Sequence, residues 1–264
     1  MIFPLNLSSD LNVSSNIVNK SSDGSRFTVI CRPSITIPQN ALNIYASVPT
    51  AKFWYTFKNI SVAKNNNKIY LTDNVGIPSK YTITLDDGLY SLTQLNNAIN
   101  YAVVALGLPS GTLTLVGDQA TSKVIFTLIT GYQLYFGVNS CYQLVGTNSL
   151  QKIPAGGLTT STYSEKAPSV ATFSSLTSVL FHCSLVSNSI LNGRGSDVIC
   201  SVEPEVSVGS LQVYRPYIPI KIPCPNLYNS KIDEITMYIT DQNGNPLDTN
   251  GENYGLIINI EWDD

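Results

Sequence analysis

Histidine is almost missing from this sequence: among 264 residues there is one, His182. A zinc site needs several imidazole or thiolate ligands at useful spacing, and a single His with scattered cysteines does not provide them. Charge is also scarce. Asp, Glu, Lys and Arg make up 12% of the chain, about half the roughly 25% of ordinary domains, and the net charge is −3. Neutralising phosphates takes clustered Lys and Arg, so no specific nucleic-acid partner is expected. No apolar run reaches the ~18 residues of a membrane span. The start, MIFPLNLSSDLN, has neither the basic nor the apolar segment of a signal peptide, which points to synthesis in the cytoplasm. The motifs GxSxG, HExxH, GxxxxGK[ST] and GxGxxG are absent, and so is any CxxC pair. The five cysteines, Cys31, Cys141, Cys183, Cys200 and Cys224, are odd in number and widely spaced, so they read as free thiols packed like small hydrophobes.

What is present is a polar but uncharged surface over an apolar interior. Ser, Thr and Asn account for 77 residues, while 43% of the chain is hydrophobic, too much for a disordered protein. Hydroxyl and amide groups lose less on desolvation than charges do, which suits extensive contact surfaces. Residues 1–25 are polar with a short apolar start and read as an N-terminal arm. From Arg26 the pattern has period two: Phe27, Val29 and Cys31 alternate with Thr28 and Ile30. Further strand signals follow at 41–48, 52–59, 112–116, 123–130, 176–186, 197–202, 232–239 and 256–262. One helix stands out over 91–106. Ser91 and Gln94 form a capping box, Leu92, Leu95, Ile99, Ala102, Val103 and Leu106 form one stripe, and Gly107 ends it. Residues 154–175 read as a long surface excursion. In LQVYRPYIPIKIPCP, 211–225, prolines exclude a central strand, and an extended edge that packs Tyr217, Ile218, Ile220 and Ile222 is expected. About ten short strands, one helix and long polar loops predict an all-β fold, a single jelly-roll β-sandwich of two antiparallel sheets over 26–264. Residues 107–175 are a candidate inserted or elaborated region.

Few residues invite a chemical reading. His182 and Cys183 are neighbours on a strand and point to opposite faces, so they cannot act as a nucleophilic pair, and His182 reads as structural. Asn192–Asp197 (NGRGSD) reads as a tight turn before a strand, with Arg194 a candidate partner for a carboxylate of another subunit. Asp241, Asn243, Asn245, Asp248 and Glu252 match calcium ligands in type only. The sixth position of that loop is Pro246 where an EF-hand needs Gly, and strands flank it, so a hairpin loop is expected. Asp233 and Glu234 are adjacent and expected on opposite faces, while Glu203 and Glu205 flank Pro204; all four read as surface carboxylates rather than a glycosidase pair. Trp54 and Trp262 read as core or interface residues. No catalytic residue, metal ligand or cofactor is assigned.

Two segments carry a resemblance. The first is DGSRFTVICRPSITIPQNALNIYASVPTAKFWYTFKNI (23–60) with the helix entry GLYSLTQLNNAI (88–99). The second is SNSILNGRGSDVICSV (187–202) with ITMYITDQNGNPLDTNGENYGLIINI (235–260). Together, about half of the chain, they resemble the minor capsid (penton) proteins of virophages and polinton-like viruses. The shared features are the turn SNSILNG between strands and a closing ITDxxGxxxDxxGE hairpin. The resemblance implies a non-enzymatic jelly roll that forms a homopentamer at the vertices of an icosahedral capsid. It would pack there against a double jelly-roll major capsid protein, in virions assembled in the host cytoplasm. It carries over no catalytic residue and no cofactor. The alternative on the same fold is a receptor- or glycan-binding spike of lectin type.

Overall fold

The computed structural model describes residues 1–10, 16–74, 80–173, 176–187, 189–191 and 194–263. The strands and helix, in chain order, are β1 (Ile2–Ser8), β2 (Ile17–Lys20), β3 (Arg26–Thr36), β4 (Leu42–Trp54), β5 (Lys68–Thr72), β6 (Tyr81–Thr84), α1 (Leu92–Ala105), β7 (Leu113–Asp118), β8 (Lys123–Leu128), β9 (Gln133–Tyr135), β10 (Lys152–Ile153) and β11 (Tyr163–Lys166). There follow β12 (Val179–Cys183), β13 (Ser189–Leu191), β14 (Arg194–Ser196), β15 (Val198–Val202), β16 (Leu211–Tyr214), β17 (Ile222–Pro223), β18 (Lys231–Thr240) and β19 (Gly255–Asp263). They form two compact units, one from Met1–Phe57 with Leu176–Asp264, the other from Lys58–Ser175.

The first unit is a jelly-roll-like sandwich. One sheet runs β1-β19-β4-β16, with β17 also on β4; the other runs β15-β12-β18-β3-β2, and all of these pairings are antiparallel. Period-two patterning produces it directly. In β19, Leu256, Ile258, Ile260 and Trp262 are buried while Ile257, Asn259 and Glu261 are half-buried; in β18, Ile232, Ile235, Met237 and Ile239 turn inward. Aromatic rings from both sheets meet in the centre. Phe181 lies 5.9 Å from Phe53 and 6.0 Å from Tyr254, and Phe27 lies 5.3 Å from Tyr254. The Tyr254 hydroxyl donates to the Ser25 carbonyl at 2.8 Å, so the buried phenol is satisfied.

The second unit has a four-stranded sheet, β10-β9-β5-β6, a three-stranded sheet, β11-β8-β7, and α1. The capping box is formed: Ser91 Oγ accepts from the Gln94 amide at 3.3 Å, and Gln94 Oε1 accepts from the Ser91 amide at 2.9 Å. Leu95, Ile99 and Val103 are buried, and Asn96 Oδ1 accepts from the Leu115 amide at 2.7 Å, fixing the helix on β7. Leu106 caps the C-terminus and Gly107 follows at φ +77°, as the stripe and the glycine predict.

Three expectations change. Residues 1–25 do not form a free arm: β1 pairs with β19 along its whole length and β2 pairs with β3, because the apolar start finds an open sheet edge to complete. The second unit starts at Lys58 rather than at 107. Asn59 ties its ends together, its amide donating to the carbonyls of Tyr90 (2.8 Å) and Phe173 (3.0 Å) and its oxygen accepting from the Tyr90 amide (2.8 Å). Nor is 154–175 only a surface excursion: β11 pairs with β8 and Ala167 is buried.

Candidate functional site

His182 lies on β12 opposite Tyr238 of β18, and their rings stack at 4.2 Å and 10°. Its Nδ1 is 2.7 Å from Asp197 Oδ1 and its Nε2 is 2.9 Å from Thr240 Oγ1. Asp197 is brought within reach by a shift in the β12–β15 register between Phe181 and His182. The Tyr238 hydroxyl donates to both Asp197 oxygens, at 2.9 and 2.8 Å, and the Arg26 guanidinium sits 5.4 Å from its ring centre. Burial and the adjacent carboxylate push the Tyr238 phenol up to about 12, which keeps it protonated as a donor.

Hydroxyl, imidazole and carboxylate thus stand in the order of a nucleophile–base–orienter set. Burial decides what they can do. His182 is 5% exposed and Thr240 3%, Tyr238 covers one face of the ring, and Thr240 Oγ1 also lies 3.1 Å from the Asp241 carbonyl. A substrate has no approach, so the cluster is a polar ladder joining β3, β18, β12 and the lead into β15. Asp197→Ala strands the His182 Nδ1 and the Tyr238 hydroxyl, so it lowers the stability of the first unit by about 1–3 kcal/mol, with Asp197→Asn milder. Urea denaturation followed by circular dichroism measures this; equal stability for wild type and Asp197→Ala contradicts the ladder.

The other predicted positions do not converge. Asp241 accepts from the amides of Asn243 (2.8 Å) and Asn245 (2.9 Å) and from the Asn245 side chain (3.0 Å), which makes an Asx-type hairpin loop. Among the described residues no cluster of three His, Cys, Asp or Glu is arranged to hold a metal ion. Asp233 and Glu234 follow a register break after Ile232 and are both exposed, and Asp233 pairs with Ser34 and Lys231. The cysteines are free thiols; burial raises Cys141 and Cys183 to about 12 and Cys224 to about 11, which leaves them unreactive. Asn192 and Gly193 lie outside the described residues.

The accessible features are the two flanks of the sandwich, which sequence reasoning did not find. β1 and β2 are the edge strands on the flank of one groove, and β16 and β15 those on the flank of another. The first flank holds an apolar groove of about 520 Å³ between β1 and β3, lined by Phe3, Leu5, Val29, Cys31, Pro33 and Trp262 among others. On the second flank a polar cleft of about 540 Å³ between β15 and β16 is lined by Glu203, Glu205, Tyr214 and Arg215. Beyond β16 the expected packing of the proline-rich segment fails. Tyr217 is 98% exposed, Ile218 74% and Ile220 75%; only Ile222 packs against the core. The two prolines keep this stretch out of the β4 ladder between β16 and β17, so its side chains stand clear of the sheet. Trp54, Leu211 and Val213 extend the exposed apolar row along the same edge.

No family model and no curated protein matches the chain. Among solved structures, the selenomethionine-labelled penton protein of mavirus is similar, with a TM-score of 0.49 and 11% sequence identity over the whole of both chains.

Proposed function

We propose that this protein is a structural component of an icosahedral virus capsid, a penton-type subunit that assembles as a homopentamer at the vertex and abuts a double jelly-roll major capsid protein. It acts through its surfaces rather than through a reaction. The observation that carries the reading is the exposed apolar row on one flank, Trp54, Leu211, Val213, Tyr217, Ile218 and Ile220. A solitary protein gains nothing by holding these side chains in water, whereas a subunit buries them against a neighbour. The low charge and the segment resemblance to virophage and polinton-like pentons support the same reading. Among the described residues no helix is long and apolar enough to cross a membrane. Light scattering after size exclusion is expected to give five chain masses, and mass spectrometry of purified particles a minor but stoichiometric component. A strictly monomeric protein at high concentration, absent from particles, overturns the proposal.

One observation favours a second reading. The cleft with Glu203, Glu205 and Tyr214 has the carboxylates and the aromatic face that a sugar-binding surface uses. A glycan array tests it; binding lost in Glu203→Ala and Glu205→Ala supports the spike-like module, and an array without hits removes it.

A further inference from the structure

We propose that the segment Arg215–Lys221 of one copy docks into the groove between β1 and β3 of the next copy, so that the contact between subunits is head-to-tail. The inference rests on the self-assembly proposed above and names the surfaces that carry it.

The argument begins with position. The groove lies on the flank where β1 and β3 meet, and the segment leaves the opposite edge, between β16 and β17 on β4. The width of the sandwich separates the two, so a chain cannot fill its own groove. Two different surfaces on opposite flanks make a heterologous contact, the kind that closes into a ring when the rotation allows.

Chemistry matches next. The segment, RPYIPIK, presents Tyr217, Ile218 and Ile220 with Pro216 and Pro219 between them. Two missing amides prevent a full strand ladder and favour an extended polyproline-type conformation, which binds grooves lined by aromatic and apolar side chains. The groove offers Phe3, Leu5, Val29, Pro33 and Trp262. Seven extended residues span about 23 Å, the length of the seven-residue β1 that forms one wall.

Two further features of the groove remain unsatisfied among the described residues. Trp262 Nε1 is the buried side-chain polar atom left without a hydrogen-bond partner among the described residues, and Trp262 lines the groove. A buried donor without an acceptor is costly, and because Nε1 is sealed off in the isolated chain, a docked carbonyl reaches it only if the indole turns toward the groove. Among the described residues, no ion pair is formed by Arg32, exposed at the groove, or by Glu203 and Glu205 on the flank that carries the segment; Arg215 is the cation among the residues that line that cleft. The excess of carboxylate on one flank faces the guanidinium of the other when copies meet in sequence.

The test uses the full chain. Cys31 lines the groove and is half-exposed, so Ile218→Cys places a second thiol at the other end of the proposed contact. Oxidation with oxidised glutathione at pH 8.5 is expected to give a ladder of disulfide-linked oligomers on a non-reducing gel, ending at the size of the assembled particle. The ladder is expected to vanish in Ile218→Cys/Cys31→Ser. In parallel, Tyr217→Asp/Ile218→Asp, both on exposed side chains, is expected to leave the circular dichroism and the melting temperature unchanged. The same variant is expected to reduce the light-scattering mass to one chain at concentrations where the wild type is assembled. An assembled wild type that yields no ladder and keeps its mass in the double aspartate variant overturns the docking alone. A wild type that stays monomeric overturns the vertex reading and the docking with it.

Discussion

Phe181→Ala is expected to cost the first unit about 3–5 kcal/mol, the range for emptying a large aromatic site in a packed core. Phe181 is fully buried at the middle of β12, between β15 and β18, and its ring reaches Phe53 of the opposite sheet and Tyr254. Those neighbours are themselves held, Phe53 against Phe57 at 5.8 Å and Tyr254 by its hydrogen bond to Ser25 and its contact with Phe27. They cannot all turn into the vacated volume, so most of it persists as a cavity. Phe181→Leu retains more of the volume and should cost less than half as much. Urea denaturation, read from the aromatic circular dichroism of the first unit, checks both. A loss under about 1 kcal/mol for Phe181→Ala would mean that the two sheets do not share this contact.

Gly146→Ala is the second large effect, and it falls on the other unit. Gly146 has φ +75°, and a Cβ added there would lie 2.2 Å from the carbonyl oxygen of Ser169 and 2.9 Å from its carbonyl carbon. The obstacle is backbone, and that backbone is pinned, because the Ser169 amide donates to the Gly146 carbonyl at 2.9 Å and the Thr172 amide to the Leu144 carbonyl at 2.8 Å. The substitution therefore combines a left-handed conformation with a main-chain clash, together about 2–5 kcal/mol. Gly156→Ala, where nothing lies within 4 Å and φ is not positive, is the matched control and should be nearly neutral. Hydrogen exchange is the suitable measurement: amides of β8 and β9 should lose protection in Gly146→Ala while those of β18 and β19 keep theirs. Unchanged protection in β8 and β9 contradicts the close approach.

The helix and the closing strands were legible because their signals are local. A capping box needs only Ser91 and Gln94, and the stripe of Leu95, Ile99 and Val103 needs only the helical period. The ladder around His182 was not legible, because Asp197 and Thr240 lie 15 and 58 residues away and meet it only through strand pairing and a register shift. The flanks were hidden for the same reason. The apolar start reads as an arm within its own sequence and becomes a strand only by pairing with β19, and Tyr217, Ile218 and Ile220 read as core by their alternation although the prolines hold them off the sheet.

Alternation, sparse charge and turn chemistry determined by themselves that this chain builds antiparallel β-structure with one packed helix, since each is read within a few residues of itself. Tertiary structure alone decided where the second unit begins, that the lone imidazole is sealed against solvent, and which apolar side chains remain outside. Those outcomes depend on which distant strands meet and in what register, and a period-two pattern is satisfied by many such pairings.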